Sequence, residues 1–168
     1  MMSDNCIFCR MAGNPDLPHL VYADGLTMAF IDLRQFHPGH TIIMPRRHYQ
    51  DVRELDYETG AALMATVARI TRAVSTAFPS EGISLWHSIG PAAFQEVPHL
   101  HIHVHPRKTN DDVLRVYPST PPTPDWSILR ERAAAVRACL TELGSQNQQE
   151  FGKANQQVQP IAGKPGSG

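Results

Sequence analysis

Along HLVYADGLTMAFIDL (19–33), apolar and polar or small positions alternate on both sides of Asp24-Gly25, which predicts two strands joined by a tight turn. HPG (37–39) marks a second turn, and TIIMP (41–45) is an apolar strand. The period then changes. From Tyr57 to Phe78, Leu63, Val67, Ile70 and Val74 recur every three or four residues, the spacing of an amphipathic helix with Asp56 as N-cap and Pro79 as its stop. GISLWHS (82–88) reads as a strand, PAAFQEVP (91–98) as a loop, and HLHIHVHPR (99–107) as a strand ended by Pro106. A second helix is expected from about Trp126 to Leu143, with Leu129, Val136, Leu140 and Leu143 on one face and Gly144 at its end. Strands, helix, strands, helix in this order predict an α+β domain over 1–144, with a mainly antiparallel sheet, one central helix and a C-terminal helix. Residues 145–168, rich in Gln, Asn, Gly and Pro, read as a polar, disordered tail.

Composition narrows the classes. With 168 residues, 42% hydrophobic and a formal net charge of −1, the chain has no global basic footprint for nucleic acid or anionic membrane. No apolar run approaches the ~20 residues of a membrane span, and no secretion signal opens the chain, so the cytosol is the expected location. Three cysteines, an odd number, argue against a disulfide framework. Cys139 is assigned nothing, whereas Cys6 and Cys9, paired in CIFC, ask for an explanation.

The strongest chemical signal is PHLHIHVHPR (98–107), where His99, His101, His103 and His105 alternate with Leu100, Ile102 and Val104. On a strand, the aliphatic residues enter the core while the imidazoles share the other face, neighbours standing roughly 6–7 Å apart. Three readings follow from this spacing: a polar strand face, a catalytic zinc held by H-x-H and a further ligand, or imidazoles that are themselves nucleophile and acid.

The run FQEVPHLHIHVHPR resembles the signature of the histidine triad (HIT) family, and the likeness extends over CIFC and FIDLRQFHPGHTIIMPRRH (30–48). The resemblance implies a nucleotide hydrolase or nucleotidyltransferase working on an α-phosphate through a nucleotidyl-histidine intermediate. By position, His101 is then the nucleophile, its other ring nitrogen held by a backbone carbonyl of the same strand, His103 assists the leaving group, and His99 completes the catalytic triad beside the nucleophile. Gln95 corresponds to a loop donor to the phosphate. Ser88 stands where relatives carry a longer amide side chain. Asp32 matches the ribose-binding acid, Phe8 and Ile31 belong to the walls of the base site, and His40 buttresses the triad. His105 departs from the pattern and reads as a partly exposed, non-catalytic residue at the strand end.

The same resemblance gives CIFC a use. Cys6, Cys9, His48 and His99 match a structural zinc set found in some members, which leaves His101 and His103 metal-free. A purine nucleotide or dinucleotide is the implied substrate and a homodimer the implied assembly. Two other classes stay in play. One is a non-catalytic nucleotide-binding interaction module. The other is a metallohydrolase with zinc in the histidine row.

Overall fold

A computed structural model describes residues 5–14, 16–113 and 119–156, the last dozen as backbone alone. The chain divides into two compact units, Met1–Arg115 and Val116–Gly168. The first contains α1 (Ile7–Ala12), β1 (Leu20–Ala23), β2 (Thr27–Ile31), β3 (Thr41–Pro45), α2 (Tyr57–Ala77), β4 (Gly82–Trp86) and β5 (Ile102–Arg107). The second contains α3 (Trp126–Gln156).

The five strands form one sheet in the order β1-β2-β3-β5-β4, every neighbouring pair antiparallel. Asp24 closes the first hairpin: one carboxylate oxygen accepts from the Leu26 and Thr27 amides at 2.9 and 2.7 Å. Helix α2 begins where Asp56 accepts from the Thr59 amide at 2.8 Å, as its sequence position predicts. The inward residues Leu63, Val67, Ile70 and Val74 pack with Ala29, Ile43, Leu100 and Val104 on one face of the sheet. On the other face Met28, Phe30, Ile42 and Met44 pack with Cys6, Phe8, Cys9 and Ala12 of the α1 segment. Strands β2 and β3 are thus covered on both faces, which is why TIIMP is buried at every position rather than at alternate ones.

Four details differ from the sequence reading. The segment after Cys6 is a short helix. Strand β5 pairs from Ile102 and runs through Pro106, which lies opposite Ile83. Pairing with β3 ends at Val104, so β3 asks no amide donor of the proline there. His105 is not partly exposed: it is 1% accessible, among His37, His40 and Trp86. Finally, α3 does not stop at Gly144 but continues to Gln156. An interior glycine costs a helix only about 1 kcal/mol, and the flanking Gln and Glu residues are good helix formers. Of the expected tail, residues 157–168 lie outside the described part.

Candidate active site

Alternation along 99–105 sends Leu100 and Val104 into the α2-side core and turns the odd-numbered residues to the opposite face. There, a cleft of about 710 Å³ is lined by His101, His103, His40, Asp32, Trp86 and Ser88, with Phe8, Phe30 and Ile31 among its apolar walls.

Each imidazole is fixed by what its second nitrogen meets. His101 Nδ1 donates to the His99 carbonyl at 2.6 Å, so in the neutral ring Nε2 is a bare lone pair. The Phe8 ring meets His101 edge to face at 5.1 Å. His87 Nδ1 donates to the carbonyl of His101 itself at 2.9 Å, tying the end of β4 to this point. His40 Nδ1 donates to the Arg34 carbonyl at 3.0 Å. His40 Nε2 is then an acceptor, and it lies 2.9 Å from His103 Nδ1. Asp32 Oδ2 stands 3.6 Å from His40 Nδ1, and Asp32 Oδ1 accepts from the Arg34 amide at 2.9 Å. The Trp86 indole stacks on His103 with centroids 4.4 Å apart and planes 9° from parallel.

Burial sets the protonation. Loss of water depresses the pKa of His101, while its bond to the His99 carbonyl acts the other way. His103 is pushed down to about 3, first by burial and then by the neighbouring His101 and His40 rings. Both rings are therefore neutral near pH 7 in the free protein.

Beside this cleft lies a second cluster. Cys6, Cys9, His48 and His99 each offer one ligand atom, all within 4.8 Å of one another. His99 Nε2 donates to the Pro45 carbonyl at 2.9 Å, which leaves Nδ1 as the lone pair, 3.5 Å from Cys6 Sγ and 3.7 Å from Cys9 Sγ. His48 Nδ1 is 3.3 Å from Cys9 Sγ. Two soft sulfurs and two imidazoles, with a carbonyl orienting one ring, fit a closed tetrahedral metal site. Among the described residues a second trio, Asp32, His40 and His103, also converges, but neither group takes in His101. The row His99–His101–His103 is thus divided between two environments rather than joined around one ion.

The structure brings Asp32, Ser88, Phe8, Ile31, His40, His101 and His103 to one cleft. It does not bring Gln95 to the lining. The Gln95 side chain is consumed within its loop, Oε1 accepting from the Gly90 amide at 2.8 Å and Nε2 donating to the Gln50 carbonyl at 2.9 Å. Three neighbours of the site escaped the sequence reading: Trp86, His87 and the ion pair between Arg34 and Glu96, whose closest atoms are 2.6 Å apart at the cleft edge. Trp86 sits opposite His103 in the β4–β5 register, a pairing that no single strand reveals.

The HIT domain family model matches residues 17–110. An uncharacterised HIT-like protein of Saccharolobus solfataricus is 34% identical over 111 residues, covering 66% of this chain and 80% of that one. The adenosine 5′-monophosphoramidase hnt1 of Schizosaccharomyces pombe is 30% identical over 123 residues, covering 72% and 89%. A crystal structure of a HIT family protein from Bacillus anthracis superposes with a TM-score of 0.75 at 31% identity, covering 82% of this chain and 98% of that one. With its alternating histidines running from His99 into β5 and its antiparallel sheet, the chain belongs to the HIT family.

Proposed function

We propose that this protein is a nucleotide hydrolase or nucleotidyltransferase that cleaves phosphoramidates or phosphoanhydrides at the α-phosphorus, with His101 as the nucleophile. The observation that carries this reading is the 2.6 Å bond from His101 Nδ1 to the His99 carbonyl, which leaves Nε2 unprotonated. Nε2 attacks phosphorus, and the bond from phosphorus to the leaving oxygen or nitrogen breaks. The substrate phosphate brings the negative charge that favours an imidazolium at His103, which then donates its Nε2 proton to the leaving atom. His40, fixed by the Arg34 carbonyl, accepts from His103 Nδ1 and holds that ring in line. Water then attacks the phosphorus bound to His101, and the nucleoside monophosphate leaves. Asp32 accepts from the ribose hydroxyls, Phe8 and Ile31 flank a purine, and the Ser88 hydroxyl reaches the leaving side. Gln95 acts through the loop it ties together rather than by direct contact.

The relative named as an adenosine 5′-monophosphoramidase supports the substrate class. Zinc is the metal that suits Cys6, Cys9, His48 and His99; held there it braces the N-terminus against the active-site strand. The assembly is a homodimer, for which exposed Tyr57 and Met64 on α2 and Leu85 on β4 supply an apolar surface. No helix among the described residues is long and apolar enough to cross a membrane, in keeping with work in the cytosol.

The decisive measurement is rapid quenching in alkaline denaturant, where a bond between phosphorus and imidazole survives, of the protein mixed with an α-phosphate-labelled adenosine phosphoramidate. Label should appear on His101 within the first turnover. His101→Ala should lose about 10⁴-fold or more in kcat, as nucleophile removal does elsewhere, yet still bind adenosine monophosphate. Turnover at the wild-type rate in that variant would end the proposal.

A further inference from the structure

A site that takes a chain of phosphates gathers cations, since each added phosphate brings a further negative charge. This cleft does not. Among the described residues that line it, Arg34 carries the only guanidinium or ammonium group, against the carboxylates of Asp32 and Glu96. The guanidinium is also already engaged. Its two terminal nitrogens donate to the two Glu96 oxygens at 3.0 and 2.6 Å, a fork that joins the loop between β2 and β3 to the loop between β4 and β5. Pairing with Arg34 holds the Glu96 carboxyl below its ordinary range, so both partners are charged near pH 7. The fixed charges of the lining therefore leave a net negative charge.

These charges reach the reacting groups. At His101 burial is the larger influence, but the Asp32 and Glu96 carboxylates both act on the ring. At His103, behind burial and the neighbouring imidazoles, the Arg34 guanidinium acts as well. An α-phosphate attacked by His101 lies in the field of all three groups. The main chain of Arg34 has a separate task, its amide donating to Asp32 and its carbonyl accepting from His40. The guanidinium can thus be removed without breaking either bond.

We infer that the Arg34–Glu96 pair is a charge filter on the leaving group, favouring nucleotidyl compounds with a single phosphate charge and an amine leaving group over those whose leaving group is itself a phosphate chain. This filter presupposes the reaction proposed above and adds no step to it. The P–N bond breaks, its electron pair departs on nitrogen, His103 supplies the proton, and water resolves the intermediate.

The test measures kcat/KM for the ethanolamine amidate of adenosine monophosphate and for diadenosine tetraphosphate, without added divalent cations, which would mask the phosphate charge. The ratio of the two is taken within each protein, so any misfolded fraction cancels. Glu96→Gln, which leaves Arg34 unopposed, should move the ratio about three- to tenfold toward the tetraphosphate, the scale of one or two exposed charge pairs. Arg34→Gln, which leaves Glu96 unopposed, should move it by a similar factor the other way. Both shifts should shrink as salt is raised, because the two side chains are 74% and 64% exposed. A pair that merely straps two loops together would send both variants in the same direction. That result, a ratio unmoved in either variant, or a tetraphosphate that even Glu96→Gln leaves uncut would overturn the filter. If the wild type consumes neither compound and no label reaches His101, the underlying reaction fails instead, a result distinct from unmoved ratios.

Discussion

Among single residues, Trp86 bears most directly on the chemistry of its neighbour. An indole face 4.4 Å from an imidazole and nearly parallel to it stabilises the ring most when that ring is charged. His103 is held down to about 3 in the free protein, so any proton it donates must be stabilised after substrate enters. Trp86→Val should lower kcat by about three- to thirty-fold, the range of a partly desolvated cation–π contact. The sign of the pH effect follows. Activity that needs protonated His103 is lost as pH rises through its pKa in the complex. Removing the indole lowers that pKa, so the alkaline limb of kcat should move to lower pH. A uniformly reduced but unshifted profile would show that Trp86 only shapes the cleft. At this scale the sequence was informative for His99, His101 and His103, whose spacing is local. It was silent on Trp86 and His87, whose roles depend on the register between β4 and β5. It misjudged His105 because alternation gives a side chain's face but not what covers that face.

At the level of elements, α1 illustrates what short segments hide. Six residues make fewer than two helical turns, too few for a 3.6-residue period to declare itself. CIFC therefore reads as a chemical motif and not as a helix. Its burial explains both aspects: Cys9 is 1% exposed beneath Phe8, and the two thiols point toward His48 and His99 rather than toward solvent. If zinc occupies that cluster, purified protein should carry about one equivalent, measurable by elemental analysis. Cys9→Ser should lose it, and the melting temperature should fall by about 10 °C, since structural zinc stabilises small folds by several kcal/mol. A metal-free wild type with the same melting temperature as Cys9→Ser would dismiss the metal. The longer elements were legible. The Asp24 hairpin and the Asp56 cap each rest on a side chain bonding to backbone a few residues away, so the sequence alone contains both partners.

For the molecule as a whole, the imidazoles carry a cost in acid. His105, enclosed by His37, His40 and Trp86, is pushed from 6.5 down to about 4, first by burial and then by the His40 ring. Its folded-state pKa lies below the unfolded value, so stability is intact above about pH 6.5 and declines as pH falls toward 4. Below that window the loss from this one group amounts to about 1–3 kcal/mol. His105→Ile, similar in volume and suited to a strand, should flatten the acid side of a plot of melting temperature against pH by about 5 °C. An unchanged slope would locate the acid sensitivity elsewhere. The fold class was legible at this scale because every long element has a clear period. The length of α3 was not, because a glycine weakens a helix without ending it.

The alternation that leads into β5 has one more consequence. Leu100 and Val104 fill the core through the same alternation that delivers His101 and His103 to the cleft. Inserting or deleting a single residue between 99 and 104 would exchange the two sets, driving imidazoles into the oily interior and aliphatic groups into the reaction chamber. Genetic change there is confined to substitution, because one frame of the strand writes both the chemistry and the folding.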